Sequence, residues 1–199
     1  MKVVLVDSGG ANIGSVRYAL ERLGVSAAMT ADAETILAAD RVILPGVGAA
    51  APAMARLQQM NLVHLLRGLK QPLLGICLGM QLLFEGSEEG DVACLGLVPG
   101  RVRKMPASAG VRVPHMGWNR LRPTQADPLL AGVVDGAQAY FVHSFAAPVT
   151  GHCIASCDHG APFAAMVRRG NVAGAQFHPE RSGAVGARLL QNFLQADPA

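Results

Sequence analysis

Short apolar, β-branched runs recur along the chain at Lys2–Val6, Arg41–Leu44, Pro72–Ile76, Ala139–Val142, Cys153–Ser156, Phe163–Val167 and Val172–Phe177. Runs of this length between polar or glycine-rich stretches predict strands. Between the early runs the period changes. Ile13, Val16, Ala19, Leu20 and Leu23 recur at helical spacing and predict a helix over Ile13–Leu23. A second helix is expected over Pro52–Leu69, with Asn61 a candidate interruption. A third opens over Leu78–Phe84, and a last covers Gly183–Gln195. Alternating strands and helices predict an α/β fold, a doubly wound and mostly parallel sheet flanked by helices. The second half is richer in strands and turns, which predicts additional antiparallel strands there. No repeat, linker or low-complexity segment divides the sequence. Residues 1–199 are therefore read as a single domain, long enough to bury a substantial core.

Composition narrows the classes. Hydrophobic residues make up 51% of the chain, which excludes a disordered protein. The net charge of +3 is too weak to argue for nucleic acid, and no Lys/Arg block is interleaved with aromatics. The apolar run after Met1 is too short for a secretory signal, and no apolar run approaches the roughly 18 residues of a membrane span. A soluble, cytoplasmic protein with no membrane partner is expected. The four cysteines lack the paired CxxC spacing of a zinc site. His152, Cys153, Cys157 and His159 cluster, but read best as a strand and turn, so no metal and only free thiols are expected. The Gly9–Gly14 segment invites a dinucleotide reading and fails it, because Ala11 stands where the second glycine belongs. No phosphate-cradling loop is present, and no cofactor is expected.

The strongest chemical signal is Gly75-Ile76-Cys77-Leu78-Gly79, at the end of an apolar strand and the start of a helix. This is the spacing of a nucleophile elbow, with cysteine in place of serine. Glycines flank the nucleophile because a Cβ on either would crowd so sharp a turn. A thiol nucleophile needs a base and a group to orient it. His178-Pro179-Glu180 offers both. The proline pushes His178 towards extended geometry, where residues two apart share a side, so Glu180 can fix the imidazole. The run Val172–Phe177 should deliver the pair at a strand end, where open α/β sheets build their sites. Acyl transfer also needs donors for the developing oxyanion. The amide of Leu78 is one. A second is expected from the glycine-flanked Val47 in Leu44-Pro45-Gly46-Val47-Gly48, although a plain strand-exit turn reads equally well there.

GICLGMQ around Cys77 with a distant HPE resembles the class I, triad-type glutamine amidotransferases. Further motifs choose among them. LPGVGA at Leu44–Ala49, VPHMGWN at Val113–Asn119, YFVHSF at Tyr140–Phe145 and the opening VDSGGANIGSV are similar to the glutaminase subunits of imidazole glycerol phosphate synthases. The resemblance implies a flavodoxin-like glutaminase fold. It also implies hydrolysis of glutamine to glutamate and ammonia through a thioester on Cys77, with His178 and Glu180 completing the triad. It implies a separate (β/α)8-barrel cyclase as heterodimeric partner, which uses the ammonia to form imidazole glycerol phosphate and AICAR in histidine biosynthesis. A class I glutaminase serving a different synthase is the alternative. Carried over by position, Gly46, Gly48 and Gln81 should help hold glutamine. The amides of Ser144 and Phe145 should meet its carboxylate, and Glu89 its ammonium. Trp118, Asn119, Tyr140 and Arg181 should lie near the partner. The family usually has Lys where Arg181 stands, and aromatics where Ser8 and Ala50 stand. These departures bear on the interface and leave the triad intact.

Overall fold

Val3–Val6 is four consecutive Val or Leu side chains buried on both faces, and it forms β1. A computed structural model describes residues 1–8, 13–107 and 110–196. Of the glycine-rich Gly9–Gly14 segment, residues 9–12 lie outside that range. From β1 the chain alternates through α1 (Ile13–Arg22), β2 (Ala27–Thr30), α2 (Ala33–Leu37) and β3 (Arg41–Gly46). It continues through α3 (Ala50–Gln59), α4 (Leu62–Gly68), β4 (Leu73–Cys77) and α5 (Leu78–Leu82). The helix expected over Pro52–Leu69 is two helices. Asn61 takes φ 57° between them, a left-handed conformation that asparagine tolerates and that a continuous helix cannot contain. Neither β2 nor α2 was expected. Strand β2 is a short edge strand with two exposed residues, and α2 is one turn capped by Asp32.

The second half is strand-rich: β5 (Phe84–Ser87), β6 (Val92–Ala93), β7 (Val98–Lys104), β8 (His115–Arg120), β9 (Arg122–Pro123) and β10 (Gln138–His143). β11 (Phe145–Ala146), β12 (Cys153–Asp158), β13 (Pro162–Arg169), β14 (Val172–Ala175) and α6 (Gly183–Gln195) complete it. The third helix stops at Leu82 and does not include Phe84. Fully buried, Phe84 instead opens β5, which pairs with β7. Here long-range pairing overrides local helical preference.

The main sheet has the order β2-β1-β3-β4-β14-β13-β12-β9. Neighbours from β2 to β14 are parallel, and those from β14 to β9 antiparallel. The expected doubly wound sheet with an antiparallel extension is therefore present. Alternate residues of each strand feed opposite cores. Val3, Leu5, Ile43 and Leu74 pack with Val16, Leu20 and Phe193 beneath α1 and α6. Val4, Val6, Val42 and Leu44 pack with Met54, Leu57 and Leu66 beneath α3 and α4. Strand β10 lies outside the main sheet and pairs with β8 as a two-stranded antiparallel ribbon, opposing Tyr140 to Trp118 and His143 to His115. At the centre, Gly46 of β3 aligns with Cys77 of β4, and Ala175 of β14 with Ile76. Three adjacent strands thus end at one place on the carboxyl edge of the sheet.

Candidate active site

Cys77 is the last residue of β4 and stands directly before α5, with φ 54° and ψ −113°. A side chain in such a conformation stores about 1–3 kcal/mol of strain and persists only where its surroundings impose it. The imposition is close packing of backbone. A Cβ on Gly79 would meet the Leu44 carbonyl oxygen at 1.8 Å, and one on Gly75 would meet the Gly79 oxygen at 2.6 Å. Gly46 has the same constraint, 2.7 Å from the Gly79 nitrogen. The three glycines let β3, β4 and the first turn of α5 touch, and the touching turns the sulfur out of the sheet.

The sulfur opens onto a cavity of about 290 Å³. Its walls include Val47, Gly48, Leu78, Gln81, Glu89, Ser144, Phe145, His178 and Arg181, all singled out in the sequence, together with Val142 and His143. Gly46 sits behind this wall against α5, and Glu180 sits behind His178. Arg181 is exposed at the mouth, so it serves the pocket rim as well as the outer surface. The Glu89 carboxylate accepts from the Ala50 amide at 2.9 Å and so caps α3, whose own N-cap, Ala49, has no side-chain oxygen. Ser8 and Ala50, where aromatics were expected, are both buried, and Ser8 Oγ donates to the Pro45 carbonyl at 3.1 Å.

His178 comes from the segment after β14. Its Nδ1 pairs with Glu180 Oε1 at 2.9 Å, which leaves Nε2 for the thiol of Cys77. Burial works against a charged imidazole. The hydrogen bonds to Cys77 and Glu180, and their negative charge, outweigh it and push the His178 pKa up to about 10. Glu180 is held almost dry, its side chain only 3% exposed. A fully extended segment would put His178 and Glu180 on one side by alternation. The structure corrects this. His178 is extended, but Pro179–Arg181 is a 3₁₀ turn, and the turn brings the carboxylate back under the ring. A clamp holds the turn on β10. The His178 amide donates to the Tyr140 carbonyl (2.9 Å), the Tyr140 amide to Ser182 Oγ (2.9 Å), and Ser182 Oγ to the His178 carbonyl (2.7 Å).

Trp118, 54% exposed, meets Tyr140 edge-on with 5.8 Å between ring centres, on the outer part of the ribbon. Asn119 is only partly exposed and bonds inward. Several supporting residues were not foreseen. His143 is the inward-facing last residue of a strand, Gln176 lies two residues before His178, and Ser182 and Gly186 follow the HPE turn. Alternation along β10 could have flagged His143; nothing local marks the other three. All four cysteines are free, and among the described residues no group of three His, Cys, Asp or Glu is arranged to hold a metal. No helix among them is long and apolar enough to cross a membrane.

A cysteine on an elbow, an imidazole held by a carboxylate, and a polar pocket over both can carry out acyl transfer. Comparison with known proteins agrees. The family model "glutamine amidotransferase class-I" matches residues 4–196. The chain is 61% identical over 198 residues to the imidazole glycerol phosphate synthase subunit HisH of Xylella fastidiosa, covering 100% of this chain and 99% of that one. It is 63% identical over 193 residues to the subunit of the same name from Xanthomonas euvesicatoria pv. vesicatoria, covering 97% and 96%. Among solved structures, a putative GMP synthase component from Thermoplasma acidophilum aligns with TM-score 0.75 at 20% identity, covering 98% of this chain and 92% of that one. A second, described as a glutamine amidotransferase, aligns with the same score and identity and covers 98% of each chain. With its elbow, its histidine–carboxylate pair and a family match over nearly its whole length, the chain belongs to the class I glutamine amidotransferases.

Proposed function

We propose that this chain is the glutaminase subunit of an imidazole glycerol phosphate synthase, and that residues 1–199 act as one glutaminase domain. The observation that carries the reading is the opening of Cys77 and His178 onto one cavity, with Glu180 behind the imidazole, in a chain more than 60% identical to subunits of that synthase. Glutamine enters with its carboxylate at the amides of Ser144 and Phe145 and its ammonium towards Glu89, beside Gly46, Gly48 and Gln81. His178 Nε2 holds the proton that Cys77 gives up, and the sulfur attacks the carboxamide carbon. The Leu78 and Val47 amides hold the oxyanion. The imidazolium, held by Glu180, gives its proton to the amide nitrogen as the C–N bond breaks and ammonia leaves. Water, deprotonated by His178, then attacks the γ-glutamyl thioester. The C–S bond breaks, His178 keeps the water proton beside the sulfur, and glutamate departs.

The ammonia passes to a (β/α)8-barrel cyclase, bound as the other half of a heterodimer, which forms imidazole glycerol phosphate and AICAR in the cytoplasm. Trp118, Asn119, Tyr140 and Arg181 face it. No cofactor or metal takes part. The test is glutamate release by the purified chain, alone and then with the cyclase and its nucleotide substrate. Strong activation in the loaded complex is expected. Brisk turnover unchanged by the cyclase would point to a class I glutaminase serving a different synthase. Cys77→Ala should abolish glutamine-dependent synthesis by the complex and leave ammonia-dependent synthesis intact. Loss of both, with the cyclase still bound, would refute the division of labour.

A further inference from the structure

In and behind the wall of the cavity runs a chain of buried and part-buried hydrogen bonds whose histidines the proposed chemistry does not use. The Phe145 carbonyl accepts twice, from Gln81 Nε2 at 2.8 Å and from His143 Nδ1 at 2.9 Å. Gln81 Nε2 also donates to Gln176 Oε1 at 2.9 Å, and Gln176 Nε2 lies 3.9 Å from Cys77 Sγ. On the other side, His143 Nε2 meets His115 Nδ1 at 3.0 Å, and His115 Nε2 meets Asn119 Nδ2 at 3.2 Å. Asn119 is pinned in turn. Its Nδ2 donates to the Asp158 carbonyl at 2.8 Å, and its Oδ1 accepts from the Arg120 amide.

The direction of this run follows from elementary chemistry. A carbonyl only accepts, so His143 Nδ1 carries the hydrogen. In a neutral ring Nε2 is then a bare lone pair, and it accepts from His115 Nδ1–H. His115 Nε2 is bare by the same argument and accepts the second hydrogen of Asn119 Nδ2, whose amide orientation its other two bonds already fix. Each donor points inward from Asn119 to the Phe145 carbonyl. Burial keeps both rings neutral: it is the largest influence on each and pulls His115 down to about 3 and His143 down to about 4. His115 is sandwiched face to face between Phe141 and His159, at 4.9 and 4.1 Å between ring centres. His159 cannot compete for the lone pair, since its Nε2 is committed to the Arg112 carbonyl at 2.7 Å.

We propose that His143 and His115 are positioning residues for glutamine: a one-way relay from Asn119 through two neutral imidazoles that fixes the Phe145 peptide, and with it Gln81 and the floor beneath Cys77. Phe145 is where the bound carboxylate is expected, so the inference rests on the glutaminase reading. Its outer end lies on β8 next to the exposed Trp118, so the ribbon and the pocket floor are joined by polar contacts as well as by chain.

The test is calorimetric binding of glutamine to the full chain in a Cys77→Ala background, with thermal melts to confirm folding. His143→Leu removes the donor to the part-buried Phe145 carbonyl and leaves it one hydrogen bond short. It should weaken binding roughly tenfold, the scale set by losing one partner of such a hydrogen bond. His143→Asn restores an N–H close to the Nδ1 position and should recover binding to within about threefold, the same single contact being remade. Equal binding by the Leu and Asn variants would overturn the relay. No binding by Cys77→Ala itself would overturn the glutaminase reading first. A measurement that needs no substitution is the ¹⁵N spectrum of the histidine side chains at neutral pH. Both rings should be Nδ1–H tautomers, and an Nε2–H tautomer or a cation at either would overturn the proposal even if the variants failed to fold.

Discussion

Gly186 lies in α6 where that helix leans on the turn carrying His178 and Glu180. A methyl group there would stand 1.9 Å from the Pro179 carbonyl oxygen, 2.6 Å from its carbonyl carbon and 2.8 Å from its Cα. All three are backbone atoms, so no side chain can swing clear. Carbon and oxygen rest at roughly 3.3 Å or more, so helix and turn must part by about 1.4 Å. Alanine improves the helix itself by about 1 kcal/mol over glycine. Overpacking against fixed backbone costs about 1–3 kcal/mol and outweighs it. The net cost is up to about 2 kcal/mol, so Gly186→Ala should lower the melting temperature by up to about 8 °C, at roughly 2–4 °C per kcal/mol for a chain of this size. The larger effect should be on chemistry. A catalytic group moved by about 1 Å loses on the order of 100-fold in rate, so glutamate release should fall by about that factor. The assay pairs calorimetric melting with steady-state glutamate release in the complex, using Ala184→Ser on the exposed face of α6 as control. Full activity with an unchanged melting temperature in Gly186→Ala would refute the idea that helix packing sets the position of the histidine–carboxylate pair.

Ser182→Ala removes two of the three bonds of the clamp and leaves the Tyr140 amide unpaired. Melting should show a loss of about 2–4 kcal/mol, and an unchanged melt would deny the clamp its role. Because the folded His178 pKa is raised from 6.5 to about 10, its proton contributes stability that is fully present below about pH 6.5 and lost as pH rises through about 10. The difference in melting temperature between the native chain and His178→Ala should accordingly shrink from about pH 6.5 to about pH 10.5, and a gap that widened over this range would reverse the assignment. Gly79→Ala, with a Cβ 1.8 Å from the Leu44 oxygen, should prevent the elbow from forming. Soluble Gly79→Ala with native glutamate release would show that the close approach is not required.

The elbow and the HPE turn were legible because each is written in a few adjacent residues. Gly75 and Gly79 are demanded by contacts within one strand–turn–helix unit, and His178 and Glu180 are two residues apart. The central parallel strands were legible for a related reason: buried on both faces, they appear as unbroken apolar runs. The ribbon partner β8 was not. Its sequence carries Gly117 and Asn119 among exposed positions, and only pairing with β10 makes it a strand. Phe84 looked helical because its strand partner, Val98, is distant in sequence. The 3₁₀ form of the HPE turn was hidden for the same reason. It depends on Ser182 and on the backbone of Tyr140, some 40 residues upstream.

The distribution of the four thiols has a practical consequence. Cys94, Cys153 and Cys157 are sealed in the interior, and burial raises all three pKa values, Cys94 to about 11 and Cys157 to about 12. Of the four, only Cys77 lines the cavity of about 290 Å³. Compact electrophiles should therefore label the folded chain once, at Cys77, with no need for a cysteine-free background. Bulky maleimide dyes that cannot enter about 290 Å³ should leave it unmodified. The native protein thus carries its own single attachment point for a reporter, and the size of the reagent sets access to it.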